Sequence, residues 1–147
     1  MRDTSPDKPE LMVEYFKPLA RWTDAIQNDF AARADWCVKS YADANHPPVV
    51  KLTNALDLKV LPGDVVQLSA NGSSDPDGDE LVYKWWQYRE AGTYDGIVEI
   101  KNAGTQDASF TVPNDAQAGK TIHVVCEVTD NGKPPLTRYQ RVIAEIK

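Results

Sequence analysis

Four aspartates in two turn segments are the residues whose types and spacing could bind a metal ion. Asp75, Asp77 and Asp79 alternate around Gly78, and Asp130 lies in a later loop. Carboxylate oxygens are the hard ligands that Ca²⁺ prefers, so the pattern predicts a calcium site. The twelfth position counted from Asp75 carries tryptophan where an EF-hand loop has glutamate, so the loop is not an EF-hand. We prefer the other interpretation of the same loop, a solvated turn stabilised by Pro76 and by Asx-type hydrogen bonds.

Aromatic side chains suggest a second kind of site, one for sugars. Trp86, Tyr88 and Tyr94 lie close together in the sequence, and flat rings suit the apolar faces of pyranoses. The alternation of a strand places Trp86 and Tyr88 on the face opposite Trp85. Soluble proteins rarely leave an apolar patch bare, and the same outer face is expected to hold Val125, Tyr139 and Ile143.

Two interpretations of this outer face compete. In the first, which we prefer, it packs against the helical segment 19–43 or against a domain outside this chain. The residues of that interdomain docking surface are Trp22, Ile26, Phe30, Val125, Tyr139 and Ile143. In the second interpretation, Trp86, Tyr88 and Tyr94 form a sugar-stacking platform.

The sequence offers little support for catalysis by this chain alone. His46 precedes two prolines, His123 lies within a predicted strand, and neither has a recognisable nucleophile partner. Gly-x-Ser-x-Gly, the phosphate loop and His-Glu-x-x-His are all absent from the sequence. We therefore expect no catalytic residue here. Asn28 and Asp29 either reach into the site of a neighbouring domain or position the helix, and we favour the second.

The elements that must position these residues differ between the two parts of the chain. All eight glycines lie at or beyond Gly63, whereas residues 19–46 contain neither glycine nor proline. Within 19–43, apolar residues recur at three- and four-residue steps, which predicts an amphipathic helix. Its apolar stripe consists of Leu19, Trp22, Ile26, Phe30, Ala34, Cys37, Val38 and Tyr41.

From residue 47 onward, β-branched and aromatic runs alternate with turn sequences. About seven short strands over roughly 100 residues are typical of an immunoglobulin-like antiparallel β-sandwich. The fold class is therefore mainly β, with a helical segment (1–46) preceding the sandwich (47–147). Trp85 is expected in the core, and Cys37 and Cys126 are expected to be free thiols. The strands are predicted at 49–52, 64–70, 80–88, 97–100, 108–112, 121–129 and 139–146.

Composition and charge exclude some classes of function. With 16 Lys and Arg against 22 Asp and Glu, the formal charge of −6 argues against a nucleic-acid surface. No apolar run approaches the roughly 18–20 residues of a membrane span. The first residues also lack the apolar region of a signal peptide, so the protein is either cytoplasmic or a piece of a longer precursor.

Several motifs carry a resemblance to a known family. The strings NHPPVV from residue 45, PGDVVQLSA from 62, GSSDPDGDELVYKW from 72 and VTDNG from 128 together resemble a PKD-type or cadherin-like module over 47–147. RW at 21–22, QNDFAAR at 27–33 and DWC at 35–37 are similar to the end of a nucleoside-hydrolase-like domain. They resemble that domain as it occurs in a bacterial family of cellulose-binding proteins, where it precedes a C-terminal Ig-like module.

The resemblance implies a non-catalytic accessory module of a longer, secreted, polysaccharide-associated protein. Its partners would be the upstream nucleoside-hydrolase-like domain and cellulose or another carbohydrate, in an extracellular or periplasmic location. The parent protein would resemble an N-glycosyl hydrolase whose catalytic residues lie outside this chain. Two alternatives stay open: the module completes the upstream active site, or it is a spacer without a ligand.

Overall fold

The computed structural model describes residue 16 and residues 20–147 of the chain. In that part of the chain, helix α1 (Thr23–Trp36) and a short 3₁₀ helix (Tyr41–Asp43) precede two β-sheets. The same residues contain no helix long and apolar enough to cross a membrane. The strands are β1 (Asp57–Val60), β2 (Val65–Ser69), β3 (Val82–Gln87), β4 (Ile100–Lys101), β5 (Asp107–Thr111), β6 (Thr121–Thr129) and β7 (Thr137–Ile146).

The two sheets form a sandwich, which confirms the predicted mainly β fold with a preceding helix. One sheet has the order β1-β7-β6-β3 and the other has the order β2-β5-β4. All pairings are antiparallel except that of β1 with β7, which is parallel. The long strands β6 and β7 form the centre of the larger sheet, and they carry the outer face discussed below.

Side-chain alternation along the strands places the core between the sheets. Leu68, Trp85, Phe110 and Ile122 are each 2% exposed or less. The indole Nε1 of Trp85 donates to the carbonyl oxygen of Thr105 at 2.9 Å, so its one polar atom is satisfied. The prediction that Trp85 is a core residue is confirmed.

The first predicted strand, 49–52, is wrong. Val49 makes a single bridge with Ser74, and two residues later the Lys51 N–H donates to the Ser73 side chain and not to a strand partner. Strand β1, in contrast, was not predicted from the sequence. The run DLKV carries two charged residues and a weak strand signal, and it is extended because it pairs with Ile143–Ile146 of β7.

The predicted strand 97–100 shifts to the two residues of β4. The Gln87 side chain takes the place of a ladder partner here, because its Oε1 accepts from the Val98 N–H at 2.8 Å and its Nε2 donates to the Gly96 carbonyl at 3.0 Å. These side-chain hydrogen bonds replace strand pairing at Gly96 and Val98, so β4 begins only at Ile100. The alternation of residues 97–100 gives no sign of this contact with Gln87.

Helix α1 is shorter than the predicted 19–43. It ends at Trp36, and Ser40 has an extended backbone that separates it from the 3₁₀ helix. Leu19 lies outside the described residues. Cys37 is exposed and Cys126 is buried, and both are free thiols.

Candidate functional site

An aromatic cluster covers the outer face of the larger sheet. Trp86 pairs in register with Val125 of β6, and Tyr139 of β7 pairs with Glu127, so both rings lie on the side opposite Trp85. Val125 is buried on this face and Ile143 is half-buried. The structure therefore brings together the strand residues that the sequence assigned to one surface.

Trp22, just before α1, lies on this cluster. Its ring centroid is 4.8 Å from that of Tyr139 in an edge-on arrangement, 5.7 Å from that of Trp86 and 6.2 Å from that of Tyr88. Aromatic pairs at such separations contribute about 0.5–1.5 kcal/mol beyond their buried area. We call the four residues Trp22, Trp86, Tyr88 and Tyr139 the aromatic clamp.

Arg21 adds a charged cover to the aromatic clamp. Its guanidinium carbon lies 4.8 Å from the Trp86 ring centroid and 5.4 Å from that of Tyr88, and it forms an ion pair with Glu90 at 2.7 Å. Trp86 also donates from its Nε1 to Glu127 at 3.1 Å. Trp22 and Arg21 therefore lie over these rings, and Trp86 and Tyr88 are each half-buried. Sugar binding by Trp86 and Tyr88 stays a prediction.

Burial changes the acid–base behaviour of Tyr139, one of the two tyrosines in the aromatic clamp. It raises the pKa of Tyr139 to about 12, and the nearby Glu127 carboxylate acts in the same direction. Tyr139 is therefore a neutral ring at any physiological pH, and its role in the clamp is packing.

Tyr94 is not part of the clamp. It packs against the inner core, and its hydroxyl donates to Asp115 Oδ1 at 2.9 Å. The structure thus separates the three residues that the sequence grouped as one platform. The loop after β3 leaves the outer face at Tyr88 and carries Tyr94 to the β5–β6 end of the sandwich.

Polar contacts fix the rest of α1 to the sandwich. Asp29 accepts from Arg138 of β7 at 2.9 Å and from Arg33 of its own helix at 2.7 Å. These hydrogen bonds, that of Arg33 first, hold the pKa of Asp29 below its usual range. Ala32 is buried, and Trp36 Nε1 donates to the Asn45 carbonyl at 2.7 Å. The helix therefore faces the sandwich with the stripe Trp22, Ala25, Asp29, Ala32 and Trp36.

The other stripe of α1 is exposed. Ile26 is 64% exposed and Phe30 is 75% exposed, and beyond the helix Val38 and Tyr41 are exposed as well. Beside this stripe runs an open groove of about 700 Å³. It is lined by Trp22, Ala25, Ile26, Asp29, Arg33, Thr137, Arg138 and Tyr139. Of the predicted docking residues, Trp22 and Tyr139 therefore meet within the chain, whereas Phe30 is exposed and Ile26 lies largely exposed at the groove.

The acidic loop brings three carboxylates together. One oxygen from each of Asp75, Asp77 and Asp79 lies within 4.8 Å of the others, so the group could hold a cation. Asp75 Oδ1 accepts from the backbone N–H groups of Asp77 and Asp79, as the Asx-turn interpretation expects. Burial and the neighbouring charges of Asp75, Asp130 and Asp77 raise the pKa of Asp79.

Asp130 has a structural environment of its own. Its carboxylate is 2% exposed and accepts from the Asn45 side chain at 3.2 Å, from the Gly132 N–H at 3.1 Å and from the Leu136 N–H at 2.8 Å. Asn45 Nδ2 also donates to the Pro134 carbonyl at 2.8 Å. Asp130 thus ties the segment after α1 to the β6–β7 loop, and its charge still acts on Asp79.

The two histidines occupy different surroundings. His46 stacks on Tyr41 with ring centroids 3.8 Å apart, and its Nδ1 is 3.0 Å from Asp77 Oδ1. His123 is buried in β6, its Nδ1 has no hydrogen-bond partner among the described residues, and burial lowers its pKa. His46, which stacks on Tyr41 beside the Asp77 carboxylate, and His123, which is buried in β6, both fit packing roles.

Comparison with known proteins decides the family. The model of the family "Cellulose-binding protein Sde0182, C-terminal domain" matches residues 65–146, which is more than half of the chain. The chain belongs to this family. The predicted resemblance is thereby confirmed, and the matched residues run from β2 to the end of β7.

Solved structures provide a second comparison for this member of the Sde0182 family. A nucleoside hydrolase-related hypothetical protein from Saccharophagus degradans, associated with carbohydrate metabolism, is 43% identical with a TM-score of 0.83. The match covers 86% of this chain and 32% of that one, so this chain spans about a third of that protein's length. Residues 47–147 make up a smaller share of the chain than the 86% that is matched. The similarity therefore includes part of the segment that precedes the sandwich.

A weaker likeness is to the PKD domain from KIAA 1837 protein, at 23% identity and a TM-score of 0.46, covering 67% of this chain and 89% of that domain. No curated protein matches the chain.

The sequence analysis missed the polar residues that attach α1 to the family's sandwich. Arg21, Asn45 and Arg138 make contacts with residues 69, 85 and 109 positions away in the chain. The buried Asn45 directly before a His-Pro-Pro run was a usable signal, since a short polar residue at such a boundary commonly binds backbone groups. The arginines carry no local signal, because surface arginines are common in any sequence.

Proposed function

We propose that the chain is a non-catalytic accessory module of a longer protein and that it fixes a nucleoside-hydrolase-related domain through α1. The sandwich serves as the base, and the exposed stripe of α1 is the docking element. The observation that carries this proposal is the division of α1 into two faces. One face is held by the aromatic clamp and by Arg138, and the other presents Ile26 and Phe30 to solvent.

The energetics favour a partner on the exposed stripe. Fully burying a phenylalanine or isoleucine side chain is worth about 1.5–3 kcal/mol. Ile26 and Phe30 are one helical turn apart, so both would be buried against the same surface. A helix that is already fixed to the sandwich also loses little conformational freedom when its second face binds.

The solved relative indicates which partner fits. About two thirds of the Saccharophagus degradans chain lies outside the match, and that protein is described as nucleoside hydrolase-related. The occupant we propose is a domain of that kind in the same polypeptide as this chain. The cellulose-binding family and the relative's association with carbohydrate metabolism support a role of the parent protein at polysaccharides. We further propose that this parent is extracellular or periplasmic, as its resemblance to secreted modules implies.

A substitution pair in the parent protein tests the docking. Phe30→Asp places a charge in the proposed interface and should lower the apparent melting temperature of the upstream domain and open the junction to limited proteolysis. Gln27→Asp places the same charge on an exposed residue of the same helix, outside the stripe, and should change neither readout.

The remaining outcomes separate the alternatives. If Phe30→Asp behaves like Gln27→Asp, α1 does not dock and the module is a spacer. If deletion of 47–147 abolishes turnover of a soluble substrate while the upstream domain stays folded, the module completes an active site. Either result overturns the proposal, which expects turnover to survive the deletion.

A further inference from the structure

A small polar recess lies where the loop between β3 and β4 meets the loop between β5 and β6. It holds about 200 Å³, and all of its lining residues come from these two loops. We call it the Tyr94 pocket. Its lining residues are Tyr94, Asp95, Gly96, Asp115, Gln117 and Lys120.

Tyr94 is held in a defined position on the pocket wall. Its backbone N–H donates to the Thr121 carbonyl at 3.1 Å, and its hydroxyl donates to Asp115 Oδ1 at 2.9 Å. The ring lies against Gly96, where an added Cβ would overlap the Tyr94 hydroxyl, so a larger residue would displace the ring. A ring fixed in this way loses little entropy when a ligand binds to it.

The loop that carries Tyr94 is anchored as well. Thr93 and Thr121 exchange hydrogen bonds, since the Thr121 N–H donates to Thr93 Oγ1 at 2.8 Å and the Thr93 N–H donates to the Thr121 carbonyl at 3.0 Å. Arg89 donates to the Asp95 carbonyl at 2.9 Å. The pocket is therefore formed before any ligand arrives.

The polar groups around the ring offer both donors and acceptors. The carboxylates of Asp95 and Asp115 accept, the ammonium group of Lys120 donates, and the Gln117 amide does both. Lys120 Nζ lies 3.8 Å from Asp95 Oδ2, and the Asp95 side chain is 98% exposed, so this pair is solvated and weak. Two carboxylates against one ammonium group give the pocket a formal charge of −1, which disfavours an anionic ligand.

We propose that the Tyr94 pocket binds one neutral pyranose ring of a polysaccharide. The ring would stack on Tyr94 and present its hydroxyls to Asp115, Gln117 and Lys120. A fixed aromatic ring beside convergent polar groups is the combination that suits a sugar, which has apolar faces and a hydroxyl edge. The inference rests on the proposed association of the parent protein with polysaccharide, and it does not depend on the docking of α1.

Cellohexaose titrated into the full 147-residue chain, followed by ¹H–¹⁵N NMR, tests the proposal. Saturable shift changes are expected at the amides of 93–96 and 115–120. Tyr94→Ala should raise Kd about tenfold or more because the stacking surface is lost, while Tyr94→Phe should change it by only a few-fold. Tyr41→Ala removes an exposed tyrosine from the helical segment and should leave Kd unchanged. Circular dichroism confirms that each variant is folded.

Three results would overturn the proposal. They are the absence of a saturable response, shift changes confined to the groove beside α1, and a Kd that is the same in folded Tyr94→Ala as in the original chain. Hexagalacturonate binding as tightly as cellohexaose would contradict the assignment of a neutral ligand. None of these results bears on the docking of α1, which the Phe30→Asp and Gln27→Asp pair measures separately.

Discussion

Individual carboxylates in this protein have opposite electrostatic surroundings. Asp29 lies between two guanidinium groups, and its pKa is lowered. Burial first, and then the like charges of Asp75, Asp130 and Asp77, raise the pKa of Asp79. A carboxyl group whose pKa is raised by folding disfavours the folded state at pH values above that pKa, because folding then confines its charge among like charges.

Asp79→Asn should therefore raise the melting temperature at pH 7 in the presence of EDTA. The gain should shrink as the pH falls through the raised pKa of Asp79, because protonation removes the same charge. Thermal unfolding from pH 3 to pH 7 measures this difference. Asp107→Asn, an exposed aspartate on β5, is the matched control. A lower melting temperature of Asp79→Asn at pH 7 would contradict the expected repulsion.

Calcium binding at this loop stays a prediction from the sequence. Asp75, Asp77 and Asp79 were identifiable from their spacing, since alternate carboxylates around a glycine fold back on one another locally. The environment of Asp130 could not be read in the same way, because its partner Asn45 is 85 residues away. A rise in melting temperature with CaCl₂ over EDTA that is smaller in Asp79→Asn would support a shared cation.

At the scale of elements, the described residues pack one side of α1 on the sandwich and leave Ile26 and Phe30 on its other side exposed. The sequence pattern identified the stripe with the larger side chains and assigned it to the interface. Of that predicted stripe, Trp22 does pack on the sheet, but its neighbours there are Ala25 and Ala32 and not Ile26 and Phe30. Small residues let the helix lie close to the strands while Trp22 extends onto the aromatic clamp.

Trp22→Ala should destabilise this chain by about 1–3 kcal/mol, since it removes a half-buried ring with three aromatic contacts. Phe30→Ala should change the stability of the same chain by less than about 0.5 kcal/mol because its ring is largely exposed. Urea unfolding monitored by fluorescence and circular dichroism gives both values. Equal destabilisation by the two variants would show that the outer stripe is buried in solution.

At the scale of the whole molecule, one buried junction joins the helical segment to the sandwich. Asn45 accepts from Trp36 with its carbonyl, donates to Asp130 and Pro134 with its amide, and lies against Gly132. The adjacent His46 extends the junction to the acidic loop through Asp77. These contacts attach the segment after α1 to the sandwich at Asn45 and His46.

Asn45→Ala should lower the free energy of unfolding by about 1–3 kcal/mol, because the buried Asp130 carboxylate then loses a donor that water cannot easily replace. Asn71→Ala, which removes an exposed amide bonded to Gln106, should cost about 0.5 kcal/mol or less. Chemical unfolding of both variants provides the measurement. An Asn45→Ala variant as stable as Asn71→Ala would mean that the junction contributes little.

The sequence by itself determined the mainly β fold with a preceding helix, the five strands β2, β3, β5, β6 and β7, the core position of Trp85 and the family. These features depend on local alternation, turn chemistry and motif order, which a single chain displays directly. The tertiary structure alone decided which stripe of α1 packs, the parallel pairing that makes β1 a strand, the separation of Tyr94 from Trp86 and the role of Asp130. Each of these features depends on contacts between residues far apart in the chain. For each such contact, the sequence offers several apolar or charged residues that could equally well be the partner. Only the geometry of the two packed sheets selects among them.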